Sequence, residues 1–467
     1  MKRGWILILA VMIGLSACGA PSEQPSETEL ADHPAEAETE TEGETAEEPE
    51  PVPLPSEAET ESEAEPETES EPETESEPET EIEEELLLGD EQFELYLPLV
   101  EGKRVALLTN QGGVVGDDPD LNILDALYEK GVDLTVVFSP EHGFRGTADA
   151  GETVENDTDP VTGIPLVSLY GNGSTNPPES ADLDRFDVVL VDLPDVGLRY
   201  FTYYISLLYM MDSCAAAGKE VIVLDRPNPN GYFVDGPILE DYYYSGVGKL
   251  PIPIVHGLTF GELAQMINGE GWLSAGTNAC DLTVIPCKNY DHNTEYSFAV
   301  RPSPNLKDDH AILLYPSTCY FENTVCSVGR GTEKPFNIFG SPYLQGAEGY
   351  DFSFTPVPLE GAMEPPFEGE TCYGKDLGSV PSEEIREKGI DLTYLIDAYH
   401  AVKELHPEVS FFGKSSNERY FADLLFGTDR VRRMIEEGHS AEEVEASWQE
   451  DVEAFRIQRR PYLLYPE

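Results

Sequence analysis

The chain has 467 residues, with 91 Asp or Glu against 28 Lys or Arg, and a formal net charge of −63. That length is more than one ordinary core needs, and that charge excludes a partner held by attraction to phosphate, so no nucleic-acid partner is expected. Residues 21–90 hold 29 of the acids and no Lys or Arg, and the remainder is still acidic.

Residues 1–20, "MKRGWILILAVMIGLSACGA", combine a basic start, an apolar stretch and a small-residue ending. The pattern predicts a secretory signal, because about eleven apolar residues fall short of the roughly 20 a membrane span requires. The ending "LSAC" resembles a bacterial lipobox, which implies cleavage before Cys18 and lipidation of its thiol. Residues 21–92 read as a disordered acidic linker: "PETESE"-like units repeat with Pro66, Pro72 and Pro78 spaced by six, and too few apolar residues are present to build a core. Fully stretched, about 65 such residues reach roughly 200 Å.

Residues 93–279 change to short apolar runs alternating with amphipathic segments. "RVALL" (104–108), "LTVVF" (134–138), "DVVLVD" (187–192) and "EVIVLD" (220–225) predict buried parallel strands, since near-continuous apolar runs belong to sheets covered on both faces. Between them "LNILDALYEKG" predicts a helix stopped at Gly131, and "YYISLLYMMDSCAAAG" one stopped at Gly218. The fold class is therefore α/β, a Rossmann-like open parallel sheet. Each strand is followed by a polar, glycine-bearing segment, and in such a sheet these segments emerge at the carboxyl edge, where ligands bind. Asn110, Gln111, Glu141, His142, Arg145, Asp192, Asp195, Arg199, Asp225 and Arg226 are thereby expected around one crevice.

The first strand is not followed by G-x-G-x-x-G, and the chain has no P-loop, H-E-x-x-H or G-x-S-x-G, so no cofactor and no catalytic metal is expected. The six cysteines after Cys18 include no C-x-x-C pair; export permits disulfides among them without requiring any. Residues 280–467 are richer in Pro, Gly and Ser and read as an α+β auxiliary domain packed on the first. Near its end "SAEEVEASWQEDVEAFRIQRR" predicts a helix with a capping box at Ser440 and Glu443 and a core face of Val444, Trp448, Val452 and Phe455.

Nine ordered segments carry a family resemblance: "GKRVALLTNQGGV", "FSPEHGFRG", "TGIPLVSLYG", "VDLPDVGLRYFTYY", "VLDRPNPNG", "PIVHGLTFGELA", "RPSPNL", "CYFENTVCSVGRGTEKPF" and "FRIQRRPYLLY". From Gly102 to Tyr465 the chain resembles the NamZ family of exo-β-N-acetylmuramidases. One departure is Pro194, where relatives more often have Gln. The resemblance implies a Rossmann-like domain plus an auxiliary domain, with a site between them that removes N-acetylmuramic acid from the non-reducing end of peptidoglycan fragments. It also suits an exported lipoprotein at the cell membrane, facing the cell wall.

Glycoside cleavage needs an acid for the leaving oxygen and usually a second carboxylate. Glu141 is the expected acid, raised by desolvation at its strand end. Asp192 is the first candidate for the second group, with Asp195 and Glu322 as alternatives, and a substrate acetamido group could serve instead. Capping the next helix is the competing role for Glu141, and a strand-end structural role competes for Asp192. The lactyl carboxylate of muramic acid calls for a guanidinium from among Arg145, Arg199, Arg226 and Arg330, although Arg199 and Arg226 could instead form structural ion pairs. Tyr200 is a candidate stacking surface, and His142 and His256 are candidate hydroxyl partners. Two further readings stand beside this one: a non-catalytic cell-wall sugar-binding lipoprotein, and an acyl or peptide hydrolase, which lacks its nucleophile signature.

Overall fold

The computed structural model describes residues 85–467 except Thr147, 275–278 and 416–417. The signal, Cys18 and nearly all of the acidic linker lie outside the described residues. Residues 85–92 already belong to the fold: Leu87 bridges Lys288, Gly89 N–H donates to the Asp225 carbonyl, and Asp90 and Gln92 are buried.

One sheet has seven strands: β1 Val105–Thr109, β2 Leu134–Ser139, β3 Asp157–Thr158, β4 Pro165–Ser168, β5 Val188–Asp192, β6 Glu220–Leu224 and β7 Asp281–Ile285. Their spatial order is β3-β4-β2-β1-β5-β6-β7, all parallel except β3. From β1 the chain steps outward through β2 and β4, then returns to the other flank of β1 and continues through β5, β6 and β7. This reversal places a topological switch point at the carboxyl ends of β1 and β5, where Thr109 pairs with Asp192.

Side-chain alternation explains why the central runs are apolar throughout. Ala106, Leu108, Val189, Val191, Val221 and Val223 face helices α3 (Tyr203–Ala217) and α4 (Phe260–Gly269), whereas Val105, Leu107, Val188, Leu190 and Ile222 face α1 (Phe93–Val100) and α2 (Ile123–Glu129). Both predicted helix stops are seen: Gly131 has φ +76°, and Gly218 caps α3 in the left-handed region.

The first core is continuous with the later part of the chain, through Tyr315, Tyr320, Phe426, Trp448 and Phe455. That part holds a three-stranded antiparallel sheet, with Cys372–Asp376 between Ile338–Ser341 and Phe352–Phe354, and a set of short helices. The helix expected after Ser440 is two, Ala441–Ala446 and Gln449–Arg459. The capping box is present, and the chain breaks at the buried Trp448, whose indole N–H donates to Asp235 at 2.7 Å. All six described cysteines are free and buried.

Candidate active site

Four segments meet over the switch point. After β1, Asn110 Oδ1 accepts the Gly112 N–H, and Gln111 Nε2 donates to the carbonyls of Arg301 and Pro302. A Cβ on Gly146 would sit 2.1 Å from the Gln111 amide, so the β1 and β2 loops touch only because that residue is glycine. After β5, Pro194 packs on Gly112, taking the space beside it. From α3, Tyr203 donates its hydroxyl to the same Pro302 carbonyl that Gln111 uses.

Glu141 stands in the middle of this convergence and is half-buried. Oε1 accepts the Gly151 N–H at 3.0 Å and Oε2 accepts the Thr202 hydroxyl at 2.7 Å. Thr202 is the residue that opens α3, and it spends its hydroxyl on Glu141 instead of on its own helix. The amino end of a 15-residue helix therefore faces this carboxylate. The Tyr170 phenol completes the surroundings; burial, then the charge and hydrogen bond of Glu141, push it well above the usual range.

His142 has φ +71°, a left-handed backbone unusual for a side chain with a Cβ. Its Nδ1 lies 2.7 Å from the Ala148 carbonyl, which only accepts, so Nδ1 carries the proton and Nε2 presents a lone pair towards Ser303 Oγ at 3.4 Å. Burial holds the imidazole below its ordinary value, against the raising charge of Glu141; Arg330 lowers it further. Arg330 in turn gives Nε to Glu322 at 2.6 Å and lies 5.1 Å above the Phe336 ring, while its two Nη nitrogens meet no acceptor among the described residues.

Asp195 closes the group. Oδ1 accepts the Gly197 N–H at 2.7 Å, and Oδ2 is buried with no partner. Burial raises its carboxyl from 3.8 to about 7, the Gly197 and Val196 amides offsetting part of the effect. Tyr203 feels the charges of both Glu141 and Asp195.

Several expected ligands are committed elsewhere. Asp192 is not free to act: it is fully buried and grips Arg226 through both oxygens, at 2.5 and 3.0 Å, while Arg226 also reaches Asp90 at 2.8 Å and the Val114 carbonyl. Neither Asp192 nor Arg226 is available to a saccharide, because each neutralises the other beneath the strand ends. Arg199 is likewise enclosed, its guanidinium bonded to the carbonyls of Pro237, Ile252 and Leu425. Tyr200 is core, edge-on to Tyr315 and Tyr320, and offers no stacking face. Asp225 accepts from Thr259, Gly261 and Tyr465, which makes it the anchor of α4 instead of a sugar ligand; burial lifts it to about 6. His256 accepts the Leu258 N–H and is buried, and burial takes it down to about 3, so it is a neutral structural imidazole. Arg145 is mostly exposed and paired with Asp159 at 2.8 Å. Thr202, Tyr170 and Ser303 are neighbours of these groups that the sequence did not point to; each lies inside one of the family-like segments, yet nothing in residue type marks it out.

The family model described as exo-beta-N-acetylmuramidase NamZ, N-terminal, matches residues 105–310, and its C-terminal counterpart matches residues 313–465. The peptidoglycan beta-N-acetylmuramidase NamZ of Bacillus subtilis (strain 168) is 34% identical over 385 residues, 79% of this chain and 89% of that protein. A crystal structure of a DUF1343 family protein from Bacteroides fragilis NCTC 9343 superposes with a TM-score of 0.73 at 48% identity, covering 82% of this chain and 100% of that one. A second DUF1343 protein from the same organism gives 0.68 at 29% identity, covering 81% and 99%.

Proposed function

The chain belongs to the exo-β-N-acetylmuramidase NamZ family, and on that premise we propose that it hydrolyses the glycosidic bond of a terminal N-acetylmuramic acid, releasing it from the non-reducing end of peptidoglycan fragments. The observation that carries this reading is the setting of Glu141: a carboxyl at the switch point, fixed by Gly151 and Thr202. Each oxygen of Glu141 accepts one hydrogen bond, which fixes its orientation and leaves each a second lone pair for chemistry. It acts on the bond between the anomeric carbon and the glycosidic oxygen, where a carboxyl in either protonation state has a role.

Arg330 is the cation for the lactyl carboxylate. Its Nε is held by Glu322, which leaves the Nη pair pointing onward as a fork suited to a second carboxylate. Asn110, Gln111 and His142 supply polar groups around the same crevice for ring substituents. Lipidation at Cys18 and the acidic linker would tether the enzyme at the cell membrane while letting it sample wall polymer. The test is to incubate the protein with muramyl-terminated and glucosaminyl-terminated peptidoglycan fragments and follow free sugars by mass spectrometry. Release of N-acetylmuramic acid from the first alone is expected; release of neither sugar would refute the reading.

A further inference from the structure

One short turn, residues 148–152, holds two neighbouring side chains at once. The Ala148 carbonyl takes His142 Nδ1 at 2.7 Å, and the Gly151 N–H donates to Glu141 Oε1 at 3.0 Å. The turn is closed on itself, Glu152 N–H donating to the Asp149 carbonyl and Asp149 N–H to Glu152 Oε2. Ala150, Gly151 and Glu152 are exposed, so burial contributes little to keeping it in one place. A side-chain bond ties it to the far part of the chain: Asp149 Oδ2 accepts the Met363 N–H at 2.7 Å, across 214 positions of sequence. Met363 belongs to an arm, residues 356–365, that is itself fixed beside two other site loops. Val357 N–H donates to the carbonyl of Gly331, next to Arg330, and Asn305 Nδ2 donates to the Gly361 carbonyl at 2.8 Å, two residues from Ser303. A Cβ on Gly331 would sit 2.6 Å from Pro365, and one on Gly361 2.7 Å from Pro304, so the arm lies against both loops as closely as the backbone permits.

Resting on the muramidase reading above, we propose that Asp149 is a positioning residue: by gripping the Met363 N–H it fixes the turn to the arm, and through the turn it sets the direction of the Glu141 carboxyl and the His142 ring. The bond is charge-assisted, which makes it stronger than a neutral contact in the same half-buried place. Its effect on the reaction comes from geometry. A reacting carboxyl has to be held within about 0.5 Å of its working position, and a displacement of about 1 Å costs on the order of 100-fold in rate. Without Asp149 the Gly151 amide is attached to an exposed turn that has lost its tie to the arm, and Glu141 Oε1 is aimed only as well as that turn is.

The test compares Asp149→Ala with Asp149→Asn on an aryl β-muramide, well below the melting temperature of each. Asp149→Ala should lower kcat by about 10- to 100-fold while KM stays within about 3-fold of the wild type. Asparagine keeps an acceptor for the Met363 N–H, and its kcat should return to within about 5-fold of the wild type. An anchor of purely structural importance would lower the melting temperature and leave kcat alone; that result, or an asparagine variant no better than the alanine one, would overturn the assignment. Met363→Pro removes the donor from the other side and should reproduce the loss, and the double variant should lose no more than either single one; additive losses would count against the proposal. Hydrogen exchange reads the same bond without any substrate. The Gly151 amide should exchange roughly 10-fold faster in Asp149→Ala, towards its rate in Glu141→Ala, and unchanged protection would reject the proposal. A wild type that cleaves no muramide refutes the glycosidase reading itself, while exchange at Gly151 still decides whether Asp149 holds the turn.

Discussion

Glu141 and Asp195 have the same functional group and follow the two strands that flank β1, yet the fold treats them oppositely. One receives a hydroxyl, an amide and a helix terminus; the other is stripped of water and left with one oxygen unmatched. The difference has a stability consequence. The folded state keeps the Asp195 proton that an unfolded chain loses at 3.8, so stability falls as pH rises from about 4 to about 7, by at most about 4 kcal/mol. Asp195→Asn removes this penalty. Its melting temperature should exceed that of the wild type by more at pH 8 than at pH 4, and a pH-independent difference would show that the buried charge is not the cause. Arg330→Ala should cost about 10- to 100-fold in kcat/KM for muramides, as expected for losing a charge-assisted pair, while Glu322→Gln costs less. The matching measurement is the ratio of muramide to glucosaminide turnover. At this scale the glycine-flanked loops single out Glu141, His142 and Arg330 in the sequence without fixing what each does. Asp192, Arg199 and Arg226 were open to a ligand or a structural role, and Asp225 was expected at the crevice, because a strand-end charge looks alike whether it faces a ligand or a buried partner far along the chain. The partner of Arg199 at Leu425, for instance, is invisible to local pattern.

Elements were more readable than residues wherever burial was two-sided. β1, β2, β5 and β6 announce themselves because helices cover both faces, so every position is apolar. β4 and β7 did not: β4 opens on Pro165 and is mostly half-exposed, and β7 alternates exposed and partly buried positions, as outer strands do. The predicted terminal helix broke because Trp448 is drawn into the core and bonded to Asp235, a tertiary demand that overrides helix propensity. The same priority governs the ion pair beneath the crevice, where Asp90 and Asp192 flank Arg226. Replacing Arg226 with Met leaves buried acid without its cation, and chemical denaturation should register a loss of about 3–5 kcal/mol. A loss below about 1 kcal/mol would mean that Arg226 is not what holds the ends of β5 and β6 together.

Across the whole molecule the last residues return to the carboxyl ends of β6 and β7. Tyr465 donates to Asp225 at the end of β6 and accepts the Cys287 N–H, the Pro466 carbonyl accepts the His292 N–H, and Arg459 joins Glu467 to the Gly257 carbonyl. The tail is thus part of the floor under the crevice, and deleting Tyr465–Glu467 should lower the melting temperature and the activity together, measured side by side on the same preparation. Alternating strands and helices made the α/β architecture readable from the sequence, but this closure was not, since it depends on which buried acid lacks a donor. The central claim is that the strand-end loops bring Glu141 to the anomeric carbon of a terminal muramic acid. It is tested most directly by the rate of chromophore release from an aryl β-muramide by the wild type and by Glu141→Gln. The account predicts turnover by the wild type and a fall of about 100-fold or more in the variant with its fold intact; equal rates would contradict it.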